Sequence, residues 1–185
     1  MMKYIDKNKL PHLFPTHNHS SEFWEFLGRT IATFGFLEFI LKRAIFAFSS
    51  RKEVLETDAK QELEKWYGML EKVLPGQLYI IVERYEKIVK ETPGANIENF
   101  DDLINDIKYS VDIRNILCHG SWDNPDENGA TEPFFINRRL ERCATHIDIA
   151  FLSQTQAAVA DMACAVINSV TSMGWEFPGT ETPKC

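Results

Sequence analysis

The stretch Val111–Trp122, VDIRNILCHGSW, decides how this chain is read. It has the form of the end of an amphipathic helix, with apolar residues at helical spacing and Gly120 to stop the last turn. A helix that only packed would carry Leu or Ala at position 114. Instead it carries Arg114, with Asn115 beside it and His119 at the last helical position. At about 100° per residue, Phe100, Leu103, Ile107, Val111 and Cys118 define one face, and Arg114 falls along its middle. Asn115 and His119 stand one turn apart at its flank, so three polar groups converge on one small region.

Outward from this stretch the chain reads as helices joined by turns. Ser20 or Ser21 caps a long helix to about Phe48, with Leu27, Ile31, Phe34, Leu41, Ile45 and Phe48 forming a core seam. Glu38 occupies the missing step of that seam, between Phe34 and Leu41. Thr57 caps a second helix, Asp58–Leu74, closed by Pro75-Gly76, and a shorter one follows over Leu78–Lys90. Asn99 caps Phe100–His119. About twenty residues rich in Pro, Asn, Asp and Gly come next, Ser121–Leu140, with a hairpin expected around Asn128-Gly129. Thr145 with Asp148 has the form of a capping box, opening a final helix to about Ser172, which Gly174 and Pro178 end.

No repeat is evident, and no strand run alternates long enough to build a sheet. The expected architecture is an all-α antiparallel bundle of four to five helices, with one long loop or small β-hairpin before the last helix. Residues 1–19 form an irregular N-terminal arm, 20–173 the helical domain and 174–185 a C-terminal tail.

With 185 residues, 44% apolar and 25% charged, the chain has the composition of one ordinary globular domain. Its formal net charge of −7 argues against broad nonspecific binding to nucleic acid, but leaves room for a local basic cleft. The four cysteines, Cys118, Cys143, Cys164 and Cys185, are widely spaced without a CxxC pair, so reduced thiols in the cytoplasm are expected rather than zinc or disulfides. The polar, proline-broken N-terminus is not a signal peptide. The apolar run Ile31–Phe48 is interrupted by Glu38, Lys42 and Arg43, which indicates a buried helix rather than a membrane span. His12, His17 and His19 lack an acidic or cysteine partner at ligand spacing, so neither metal nor cofactor is expected.

A charge in a helical seam is costly unless it is paired. The economical expectation is that Glu38 and Arg114 face each other, across a helix pair or across a dimer. An Arg–Glu pair inside a bundle can be purely structural, and a His at a helix end can be just a cap. A functional reading is also open. Arg114 offers a planar fork that matches phosphate. His119 sits beside the last helical carbonyls, a place suited to handing a proton to a leaving oxygen. Asn115 fixes the ring or holds a phosphate oxygen. Together these suit RNA cleavage by the 2′-hydroxyl, with a two-fold dimer supplying a second histidine.

Arg114-Asn115-Ile116-Leu117-Cys118-His119 is similar to the R-N-x-x-x-H form of the RX4–6H signature of the HEPN superfamily. It stands at the end of a late helix in an all-α chain, with a further long helix after it and an acidic residue, Glu38, in an early helix. The resemblance covers roughly residues 20–172. It implies a small, usually dimeric helical bundle that acts as a metal-independent endoribonuclease in toxin–antitoxin, defence or RNA-processing roles. It also implies catalytic roles for Arg114, Asn115 and His119, a supporting role for Glu38, RNA as substrate, and an antitoxin or operon partner. Toxins of the family silenced by a nucleotidyltransferase commonly carry tyrosine two residues after the histidine, where this chain has Ser121. Other members are noncatalytic modules that bind nucleotide or RNA, or that serve dimerisation and assembly.

Further candidates for RNA contact are Arg138, Arg139 and Arg142, the strongest basic cluster, and Trp122, whose face suits base stacking. Each also has a plain reading, as a solvated loop edge or as a loop anchor. Lys42 and Arg43 share the helix of Glu38 and offer a weaker version of the same contact. Cys118 adjoins His119 but points about 100° away from it, and belongs to the core. The aromatic run Phe34–Phe39 is apolar all round, which suits a second chain covering one side.

Overall fold

The computed structural model describes residues 5–50, 77–137, 140, 142 and 144–179. Among these the architecture is all-α, with four helices: α1 (Ser21–Ser49), α2 (Leu78–Lys90), α3 (Phe100–His119) and α4 (Ile149–Thr171). A single 3-10 turn, Lys7–Lys9, precedes them. The expected helix Asp58–Leu74, with its Thr57 cap, lies outside the described residues.

Local chemistry sets the helix ends. The Ser20 hydroxyl accepts from the Phe23 amide at 3.1 Å and starts α1. Asn99 is the N-cap of α3, as its position suggested, but it is left-handed (φ 53°) and its side chain makes no capping bond. The capping box read at Thr145 is not formed. Asp148 is itself the N-cap of α4, accepting from the Phe151 amide at 2.7 Å, so that helix begins three residues later than a Thr145 cap requires. Gly174 (φ 74°) then turns the chain away just beyond α4.

Long-range contacts give the helix directions. Near the starts of α1 and α4, the Thr30 hydroxyl lies 2.8 Å from the Phe26 carbonyl and 3.1 Å from that of Leu152. At the far end, the Phe48 and Trp175 rings meet at 5.3 Å. The first and last helices therefore lie side by side and parallel. Lys90 pairs with Asp101 at 2.8 Å and Lys108 with Glu86 at 2.6 Å, which makes α2 and α3 antiparallel. Between α2 and α4, the buried Tyr85 hydroxyl donates to Ser169 at 2.6 Å, and Ser169 donates to the Val166 carbonyl at 2.7 Å. Burial raises the Tyr85 hydroxyl well above its usual pKa, so it stays a donor.

By length and composition α4 is apolar enough to cross a membrane. In this fold Leu152, Thr155, Val159, Ala163, Val166 and Val170 are buried along it as the inner face of a bundle helix.

The arm and the tail, read as lying outside the helical domain, are packed onto it where they are described. Trp24 donates its indole N–H to the Thr16 carbonyl at 2.8 Å, and the side-chain amides of Asn18 and Asn124 join arm to loop. At the other end Phe177 is in the core, and Arg43 donates to the Pro178 carbonyl at 2.9 Å. The expected hairpin is a turn rather than a pair of strands. The Asp126 carboxylate accepts from the Asn128 and Ala130 amides, and Gly129 takes φ 80°. Isolated bridges, Ser121 to Phe134 and Thr131 to Ile147, hold the loop down.

Glu86 ties α2 to α3. Its carboxylate accepts from Lys108 at 2.6 Å and from Lys90 at 2.9 Å, and these bonds, Lys108 first, hold its pKa below the ordinary 4.5. A carboxyl so depressed adds stability above its unfolded pKa and loses it as pH falls through the folded value. Glu86→Gln is therefore expected to lower stability at neutral pH, with the gap to wild type closing as pH falls below 4.5. Chemical denaturation across a pH series checks this; a gap independent of pH would assign the loss to packing.

Candidate active site at the end of α3

The inner face of α3 is made by Ile104, Ile107, Ser110, Val111, Ile116 and Leu117, all buried. Phe100, Leu103 and Cys118, placed on the core stripe by spacing, are its half-buried edges. Arg114 lies four residues after Ser110 and three before Leu117, so it does point along the inner face, and it is only half-buried. Its guanidinium donates to Asn115 Oδ1 at 3.3 Å and has no ion pair among the described residues.

The expected Glu38–Arg114 pair is not made within the chain. Leu37, fully buried, fills the seam step between Phe34 and Leu41, and Glu38 sits at the edge of the helix. Its carboxylate accepts from Lys42 at 2.6 Å, one turn along α1. The favourable order, Glu preceding Lys by four residues, makes this local partner easier to reach than one on another helix. Lys42 is thereby occupied. Arg43 stacks on Phe39, 4.1 Å from the ring centroid, and holds the tail.

His119 is exposed at the last helical position and makes no hydrogen bond among the described residues. The turn beyond it is closed by the Gly120 amide, which donates to the Ile116 carbonyl at 2.8 Å. Gly120 has φ −66°, which any residue adopts, so it is not required as a left-handed helix stop. What requires it is crowding: a Cβ there would stand 2.6 Å from the Ile116 carbonyl oxygen and 2.9 Å from Pro133 Cβ. The loop folds back over the helix end at this point, clipped by the two hydrogen bonds between Ser121 and Phe134 at 2.9 and 2.7 Å.

Trp122 is half-buried in an aromatic cluster, its ring centroid 5.3 Å from Phe23, 6.1 Å from Trp24 and 6.4 Å from His19. This placement favours the anchor reading over base stacking. By sequence His19 belongs to the irregular N-terminal arm. In the fold it is packed against Phe23 and Trp24, with a buried Nε2 that has no hydrogen-bond partner, and desolvation lowers its pKa. The neighbouring sequence SSEFWEF held the signal: two aromatics one helical turn after a histidine. A cavity of about 350 Å³ lies against His19, Ser20, Asn128 and Asp148.

Arg138 and Arg139 lie outside the described residues. Arg142 is exposed, 3.9 Å from the Glu132 carboxylate and 5.7 Å from the Phe134 ring centroid. Among the described residues no group of three His, Cys, Asp or Glu side chains is placed to hold a metal ion.

The last turns of α3 thus carry an exposed imidazole and, five residues earlier, a guanidinium that no described carboxylate neutralises. Such a pair can bind an anion and move a proton. Comparison with known protein families, curated proteins and solved structures returns no match for this chain.

The crowding at Gly120 is testable. Gly120→Ala is expected to destabilise the protein by about 1–3 kcal/mol, the usual cost of an extra carbon in a packed place. Equilibrium denaturation measures it. Wild-type stability in the variant would show that the loop yields freely and does not shape the helix end.

Proposed function

We propose that this chain is a metal-independent endoribonuclease of HEPN type, a homodimer in which Arg114, Asn115 and His119 of both chains form a composite site. The observation that carries this reading is the half-buried guanidinium of Arg114, left without a carboxylate while Glu38 turns to Lys42. A cation placed only for structure would be expected to have its counter-ion beside it. One left unneutralised on the helix that ends in an exposed histidine suits a phosphodiester that arrives from outside.

In this mechanism the RNA 2′-oxygen attacks the adjacent phosphorus and gives its proton to one His119. The bond from phosphorus to the 5′-oxygen breaks. That oxygen takes a proton from the partner's His119, leaving a 2′,3′-cyclic phosphate and a 5′-hydroxyl. Arg114 binds the charged phosphoryl oxygens, and Asn115, already bonded to Arg114, orients it. With a net charge of −7, RNA contact is confined to local basic points, of which the exposed Arg142 is one. Glu38, read as a supporting residue, is engaged by Lys42 on α1 and contributes no carboxylate to this site.

The test is incubation of the purified protein with mixed single-stranded RNA in EDTA, beside Arg114→Ala and His119→Ala variants whose folding is verified by circular dichroism. Wild type is expected to release cyclic-phosphate ends, and each variant to lose about 10²-fold or more in rate. Equal cleavage by all three would move the chemistry elsewhere. No cleavage by folded wild type would replace the enzyme with a noncatalytic binding or assembly module.

A further inference from the structure

A second concave surface lies between α3 and α4, away from His119. It is a groove of about 830 Å³ running from the start of α3 along the later turns of α4. Its floor includes Leu103, Met162 and Ala165, all half-buried. Ala158, Asp161, Met162, Ala165, Asn168 and Ser169 of α4, with Ser172 at its C-cap, fall in two adjacent rows at spacings of three and four, so one helix face forms a whole wall. From Ala158 to Ser172 this wall is about 21 Å long, at 1.5 Å per residue.

The rim carries charge of one sign. Glu98, Asp102 and Asp106 stand on one side and Asp161 on the other, all exposed. None has an ion pair among the described residues, and no described Lys or Arg lines the groove. These carboxylates do not form a metal cluster. They repel nucleic acid phosphates, which separates this face from the RNA site at the other end of α3. A second copy presenting the same face would bring carboxylate against carboxylate.

We infer that this groove docks a cationic amphipathic helix of a partner protein. The apolar stripe of that helix would lie on Leu103, Met162 and Ala165, and its lysines or arginines would meet the four carboxylates. The length of the wall matches about four turns of helix. Small residues such as Ala158 and Ala165 let a helix backbone come close, and Met162 adapts its unbranched side chain to the ligand. The inference does not rest on the ribonuclease reading.

The probe is a fluorescein-labelled synthetic peptide of about 18 residues, five helical turns, with Leu at helical spacing and Lys elsewhere. A scrambled peptide of the same composition is the control. Anisotropy titrations on the full chain are expected to show binding of the patterned peptide only. Asp102→Lys with Asp161→Lys should weaken it by about ten-fold or more. Ala165→Trp, which fills the floor without changing charge, should weaken it by a comparable factor. Glu25→Lys with Glu83→Lys makes the same change in net charge at exposed sites on α1 and α2, and should leave binding within about two-fold. Circular dichroism verifies that each variant folds. No binding would overturn the proposal. So would equal binding of the scrambled peptide, or an equal loss in the Glu25 and Glu83 variant.

Discussion

The parallel contact between α1 and α4 is the constraint around which the rest of the molecule is arranged. Thr30 bonds across it near the helix starts, while Phe48 and Trp175 close it at the helix ends. Parallel neighbours cannot be joined by a tight turn, so the chain must return to the end where it began before α4 can start. α3 makes that return. Its last residue, His119, therefore arrives where α1 begins at Ser21 and α4 begins at Ile149. The described residues between 120 and 148 gather there as well, clipped by isolated bridges and anchored by Trp122 against Phe23 and Trp24. The packing rule that builds the core also delivers the candidate active site to one end of the bundle.

Local pairing settles the partner of Glu38. Glu38 has Lys42 one turn away on its own helix, already ordered by the backbone, and the pair closes at 2.6 Å. Reaching Arg114 would require two side chains on different helices to give up further rotamer freedom for one contact. The local pair forms, and Arg114 keeps only a 3.3 Å bond to its neighbour Asn115. Glu86 shows the complementary case: on α2 it accepts from Lys90 within its helix and from Lys108 on α3, so one carboxylate fastens two helices.

Charge also differs between the two ends of α3. The end of α3 that bears Arg114 and His119 suits an anionic ligand, whereas the groove beside the beginning of α3 carries four carboxylates and suits a cationic one. A net charge of −7 is thus distributed unevenly over the described surface.

By itself the sequence determined the four described helices, apart from the start of the last, and part of the core along α1 and α3. Periodicity and caps are local, so Ser20, the seam from Leu27 to Phe48 and the bounds of Leu78–Lys90 and Phe100–His119 could be read directly. The position of Arg114 on an inner face was legible for the same reason. Tertiary structure decided what those residues meet. Leu37 rather than Glu38 completes the seam, because helix rotation is set by the neighbours being packed. Gly120 is needed for the approach of Pro133, thirteen residues on, and His19 leaves the arm for the Trp122 cluster more than a hundred residues away. Spacing along one helix fixes angles within that helix, whereas contacts between distant segments depend on how the helices assemble, and no local pattern encodes that assembly.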